Sequence, residues 1–115
     1  MIEGYIPAAG DIVWTDFAPP TGREQRGRRP ALVISPSELF LAARVLIVCP
    51  ITGKVRPFGS SVVLPPNSAI TGEILTSQVR SIDALARPVR YSSVTVSDAL
   101  LFEVRAKLAF LCGIA

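Results

Sequence analysis

The sequence predicts a mainly β fold, a small and strongly bent barrel-like sheet that carries one helix at its C-terminal end. Two observations lead there. Short apolar, β-branched runs recur along most of the 115 residues, separated by Gly, Pro and Asn. From Ser97 onward the apolar spacing changes to a helical period. A chain of this length fits one domain spanning residues 1–115, large enough to bury a core without disulfides or a structural metal. Half its residues are hydrophobic and only 18% are charged, so part of the apolar surface is expected to lie against a partner subunit.

Residues 1–10 read as a lead-in that ends in a Gly10-Asp11 turn. Residues 12–17 (Ile-Val-Trp-Thr-Asp-Phe) form a strand, stopped by Pro19-Pro20 because proline supplies no ladder donor. Residues 31–34 (Ala-Leu-Val-Ile) form a second strand without alternation, as expected of a strand buried on both faces or central in its sheet. Ser35-Pro36 marks a helix cap with proline in the first turn, followed by a short helix over 37–42. Residues 44–50 are the clearest strand, ending at Ile51-Thr52-Gly53 and leaving Thr52 at a strand terminus. Further strands are expected at 60–64, 73–76, 78–82 and 90–96. In the last segment Ser97 is the expected N-cap and Asp98 complements the helix dipole. Leu101, Val104, Leu108 and Leu111 mark the inner face, Glu103 and Lys107 an i,i+4 pair on the other side, and Gly113 the stop.

Charge is distributed unevenly. The segment 20–30 holds Arg23, Arg26, Arg28 and Arg29 with one acid, Glu24. Outside it, eight basic and eight acidic residues balance, so the whole net charge of +3 resides in this one loop. Such a concentration favours an anionic partner such as nucleic acid. The chain contains no histidine, which excludes Ser-His-Asp triads, Cys-His pairs and histidine metal sites. Two widely spaced cysteines, Cys49 and Cys112, make a structural zinc site a poor fit; both read as small core hydrophobes. No metal or cofactor is expected. No apolar run approaches the ~18 residues of a membrane span, and no signal-peptide pattern opens the chain, so a soluble cytoplasmic protein is expected.

The order Gly10-Asp11-Ile12-Val13-Trp14-Thr15-Asp16-Phe17, then Gly22, Glu24-Gln25, Gly27 and Arg29-Pro30-Ala31, resembles the MazF/PemK toxins of bacterial toxin–antitoxin systems. The resemblance continues through Cys49-Pro50-Ile51-Thr52 and Gln78-Val79-Arg80-Ser81-Ile82 into the C-terminal helix, so it covers nearly the whole chain. It implies a compact SH3-like barrel of the MazF/PemK/CcdB kind, a homodimer, and metal-independent endoribonuclease activity on single-stranded RNA at short sequences. It also implies an acidic, flexible MazE-like antitoxin that occupies the RNA groove. By matched position Arg29 binds the scissile phosphate and Thr52 donates a hydroxyl to it. Glu24 is the base or acid, or an orienter of Arg29. The blander alternative makes Glu24 a simple counter-charge for Arg23 or Arg28.

Arg23, Gln25, Arg26, Arg28, Ser77, Gln78 and Arg80 are the expected RNA contacts, with Phe17 a candidate for stacking on an unpaired base. Trp14 reads instead as core or subunit contact. Ser77 stands where many relatives have Asp, and exchanging a carboxylate acceptor for a hydroxyl is expected to change which base is preferred. Two other classes stay open at this point. One is a gyrase-binding toxin of the same barrel type that cuts nothing, the other a nucleic-acid-binding barrel without catalysis.

Overall fold

A computed structural model describes residues 4–17, 28–56 and 59–114. The described elements are β1 (Asp11–Asp16), β2 (Arg28–Val33), α1 (Ser37–Ala43), β3 (Val45–Thr52), β4 (Val62–Val63), β5 (Glu73–Ile74), a 3-10 turn (Thr76–Gln78), β6 (Arg80–Asp83), β7 (Val89–Thr95) and α2 (Asp98–Leu111). The strands form one antiparallel sheet in the order β4-β5-β3-β2-β1-β7, with β6 also pairing β3. The sheet is strongly bent but not closed, as expected of a barrel-like fold carrying a C-terminal helix.

The unbroken apolar runs make sense once both faces of the central strands are seen to be covered. Val13, Phe17, Ala31, Val33, Leu46 and Val48 belong to one core with Phe40, Ile82, Ala84 and Val89. The intervening Ile12, Leu32, Ile34, Cys49 and Ile51 belong to a second, with Val62, Leu64, Ile74 and Val104. Successive side chains point to opposite faces of a strand, so a strand between two cores needs apolar residues at every position.

Curvature has local causes. Between β1 and β7 the register shifts at Ile12/Val13, where Ser92 and Ser93 are accommodated as a bulge. Ser93 adopts a positive φ of 69° there. The Ser92 hydroxyl donates to the Ile12 carbonyl at 2.6 Å and accepts the Val94 N–H at 3.1 Å, satisfying groups that the bulge would otherwise leave unpaired. The lead-in segment is tied down by Asp11, whose carboxylate accepts from the Tyr5 hydroxyl, the Ala8 N–H and the Thr95 hydroxyl.

Several local expectations are corrected. Ser35 does not cap α1: Pro36 is the N-cap residue and receives no side-chain bond, while Ser35 Oγ accepts the Ile47 N–H at 3.0 Å. A buried hydroxyl beside an unmatched strand N–H is better used there than at a helix end that Pro36 already begins. The 60–64 strand contracts to Val62–Val63, and Thr76 leaves its expected strand for the 3-10 turn. That turn is held by Gln78 N–H to Leu75 O and by the Thr76 hydroxyl on the Ser60 carbonyl. Arg28 to Pro30, expected in the loop, instead open β2, because Trp14 to Asp16 give them strand partners.

The C-terminal helix is as expected at its start, with Ser97 Oγ accepting the Leu100 N–H, and the Glu103–Lys107 pair is present at 3.4 Å. Its expected inner face is only partly inward: Val104 is buried, but Leu111 is exposed along with Phe102 and Phe110. Cys112, expected in the core, is exposed, at the C-cap just past the end of α2.

The two thiols should therefore behave differently. Burial pushes the Cys49 thiol from an ordinary 9.0 up to about 12. A thiol reagent at pH 8 should titrate Cys112 in the native protein and reach Cys49 only after denaturation. Because the folded state holds Cys49 neutral, its contribution to stability is intact below pH 9.0 and is lost as pH rises toward 12. Phe17 is 2% exposed. Phe17→Ala should cost about 3–5 kcal/mol in urea unfolding; a loss below 1 kcal/mol would contradict its place in the core.

Candidate active site at the ends of two central strands

Arg29 is placed by two ladders. On one side β1 and β2 pair Trp14 with Pro30, Thr15 with Arg29 and Asp16 with Arg28. On the other, β2 and β3 pair Val33 with Val48, Leu32 with Cys49 and Ala31 with Pro50. Extending this second register by two residues on each strand brings Arg29 across from Thr52, the last residue of β3. The recorded β2–β3 ladder stops just short of that position, where Pro30 and Pro50 supply no N–H donors. By strand alternation each lies on the same side of its strand as Ala31 and Pro50, the last pair of that ladder. Arg29 is exposed and Thr52 half-buried.

The Thr52 hydroxyl has a defined polarity. Its Oγ1 accepts the Lys54 N–H at 3.2 Å, the turn geometry that threonine makes with the residue two ahead. With a lone pair engaged by a backbone donor, the O–H remains available to donate. Thr15, opposite Arg29 in the ladder, is 1% exposed, and its Oγ1 has no hydrogen-bond partner among the described residues.

The second group of expected contacts is brought close through the 3-10 turn. The Leu75 N–H donates to the Pro50 carbonyl at 2.9 Å, fastening the turn to the end of β3 and presenting Ser77 and Gln78 to solvent. Arg80 opens β6 opposite Val48, and its guanidinium lies 5.0 Å from the centre of the Phe17 ring. This corrects the expectation for Phe17. Its ring is buried in the core with Arg80 over it, so it does not offer an open face to a base. Arg28 is exposed and lines a groove of about 310 Å³ with Trp14, Thr15, Asp16, Val89 and Arg90. Glu24, Arg23, Gln25 and Arg26 lie outside the described residues.

Three features escaped the sequence reading. Arg87 donates to the Asp16 carbonyl at 2.6 Å, bracing the strand end from which the basic loop departs; nothing local in the sequence signals a contact across 71 positions. Arg90 joins Arg28 and Trp14 at the groove only because β7 lies beside β1. Glu73, an acid before the apolar pair Ile74-Leu75, is buried directly opposite Thr52. That isolated charge was a usable signal. Among the described residues no cluster of His, Cys, Asp and Glu suits a metal ion.

Comparison with known proteins agrees with this architecture. A family model described as PemK-like, MazF-like toxin of type II toxin-antitoxin system matches residues 8–112. The chain is 34% identical over 113 residues to the endoribonuclease toxin MazF of Escherichia coli K12, covering 98% of this chain and 100% of that one. The crystal structure of MazF from Deinococcus radiodurans superposes with a TM-score of 0.86 at 37% identity, over 95% of this chain and 98% of that one. A MazE-MazF complex from the same organism gives 0.83 at 32% identity, over 96% and 99%. Sequence and fold agree along nearly the whole length, and the chain belongs to the family of PemK-like, MazF-like toxins of type II toxin–antitoxin systems.

Proposed function

We propose that this chain is the endoribonuclease toxin of a type II toxin–antitoxin pair and that Arg29 and Thr52 carry its chemistry. The observation that supports this most is the β2–β3 register, which, carried two residues beyond Ala31 and Pro50, sets Arg29 opposite Thr52. The substrate is single-stranded RNA, mRNA included, cleaved to a 2′,3′-cyclic phosphate and a 5′-OH.

RNA carries its own nucleophile. The 2′-OH gives up its proton, the O2′–P bond forms, the P–O5′ bond breaks, and the departing O5′ takes a proton. Tethered attack of this kind supplies on the order of 7–11 kcal/mol, so the reaction does not require a metal-generated hydroxide. The remaining demand is charge developing on the phosphoryl oxygens. Arg29, planar and permanently charged, grips two of those oxygens, and the Thr52 hydroxyl donates to one. Glu24 is the group for proton movement or for orienting Arg29. Glu73, though opposite Thr52, is 1% exposed and does not reach substrate.

Arg23, Gln25, Arg26 and Arg28 hold the strand of RNA, and the groove at Trp14, Arg28 and Arg90 extends the path for its phosphates. Ser77, Gln78 and Arg80 read bases from the other side. The same basic surface suits an antitoxin whose carboxylates mimic phosphates. The toxin acts as a homodimer in the cytoplasm, and no described helix is long and apolar enough to cross a membrane.

Thr52→Ala should slow cleavage of a defined single-stranded RNA by ~10²–10³-fold, and Arg29→Ala by at least as much, with unfolding midpoints unchanged. Cleavage by the wild type should persist in EDTA. If both variants cut at the wild-type rate, the site lies elsewhere. If the purified wild type leaves RNA intact, a binding or gyrase-directed toxin becomes the better reading.

A further inference from the structure

We infer that Glu73 is a positioning residue for the reaction, acting through Thr52 rather than on RNA; this rests on the catalytic reading of Thr52 given above. Glu73 lies on β5 directly opposite Thr52 in the β3–β5 ladder and is almost completely buried. One carboxylate oxygen accepts the Arg56 N–H at 2.8 Å, and the other accepts from the Ser61 hydroxyl. The chain leaving Thr52 is therefore tied back, four residues on, to the residue paired with Thr52 itself. Its far end is anchored too, by Lys107 Nζ on the Ser61 carbonyl at 2.9 Å and by the Thr76 hydroxyl on the Ser60 carbonyl.

Backbone packing on the same strand reinforces the link. Gly72 has a φ of +137°, and a Cβ placed there would stand 2.4 Å from the Thr52 carbonyl oxygen. The two strands meet so closely at Thr52 that no larger residue fits at position 72 without moving it. The Lys54 N–H that engages the Thr52 hydroxyl belongs to the stretch between Thr52 and Arg56. Arg56 lies two residues beyond that donor, so its bond to Glu73 restrains the short stretch that carries the Lys54 N–H to Thr52.

Glu73 is an expensive way to fill this place. It is 1% exposed between Thr52 and Val63 in the ladder, and a carboxylate buried there loses more hydration than an aliphatic side chain would. An aliphatic residue would fill the volume but hold neither Arg56 nor Ser61. The charge is thus matched to organising the segment after Thr52, not to strengthening the core.

The test compares Glu73→Leu, Glu73→Gln, Thr52→Ala and the Thr52→Ala/Glu73→Leu double variant in single-turnover cleavage of a defined single-stranded RNA, with unfolding followed in urea. Glu73→Leu should keep or raise the unfolding midpoint yet lower the cleavage rate on the order of 10²-fold, because a displaced donor loses its alignment. RNA affinity should change by no more than about twofold, since the residue does not touch RNA. Glu73→Gln, which still accepts from Arg56 and can pair with Ser61, should recover most of the rate. The double variant should be no slower than Thr52→Ala alone, as expected when one residue acts through the other.

A folded Glu73→Leu that cuts at the wild-type rate beside an inactive Thr52→Ala overturns the inference and leaves the site assignment standing. Additive losses in the double variant overturn it as well. A fully active Thr52→Ala instead sinks the reading of Thr52 on which it rests. Should Glu73→Leu fail to fold, Ser61→Ala removes a single donor to the carboxylate; it should slow cleavage several-fold, and an unchanged rate would refute the role.

Discussion

β3 is held by three strands at once, and the molecule's shape and chemistry both depend on that. β2 pairs one edge at Val48 to Pro50; β6 takes the first half of the other edge and β5 the end of it. A strand with different neighbours on its two halves follows a bend, while the alternation of its side chains divides them between two cores. The same strand delivers Thr52 to its end. A slip of one residue in the β2–β3 ladder would turn Arg29 to the opposite face. Core packing on both faces therefore guards the relation between the two groups as firmly as any contact between them.

Polar side chains divide by depth. Those at the opening, Arg28, Arg29, Ser77 and Gln78, are exposed on strand ends or on the turn that follows β5. Those inside serve the backbone. Asp11 gathers the lead-in segment, Ser35 completes the β3 edge, Thr76 holds the 3-10 turn to Ser60, and Glu73 ties the chain after Thr52. Tyr5, bonded to Asp11 and stacked on Tyr91 at 5.1 Å, is held in its neutral form by burial and by that carboxylate. A site built on exposed strand ends needs this buried support to hold those ends in register.

The arginine-rich segment 20–30 holds the whole net charge of +3, and such a concentration suits a polyanion. A local excess of positive charge of this kind draws polyanions from solution over a distance set by ionic strength.

Much of this was legible in the residues. Central strands without alternation announced burial on both faces, Ser97 and the Glu103–Lys107 pair announced the last helix, and the segment from Glu24 to Pro30 with Cys49-Pro50-Ile51-Thr52 announced the family. Local chemistry decides such features, through side-chain periodicity and capping. What the residues alone left open depends on partners distant in the chain. Phe17 reads as an aromatic at the mouth of a basic loop until Arg80 covers it, and Ser35 reads as a cap until Ile47 claims it. Glu73 reads only as the first residue of a short strand until the ladder sets it against Thr52. Burial and register are properties of the assembled sheet, and they decided which polar groups stay exposed at the strand ends and which are buried against the backbone.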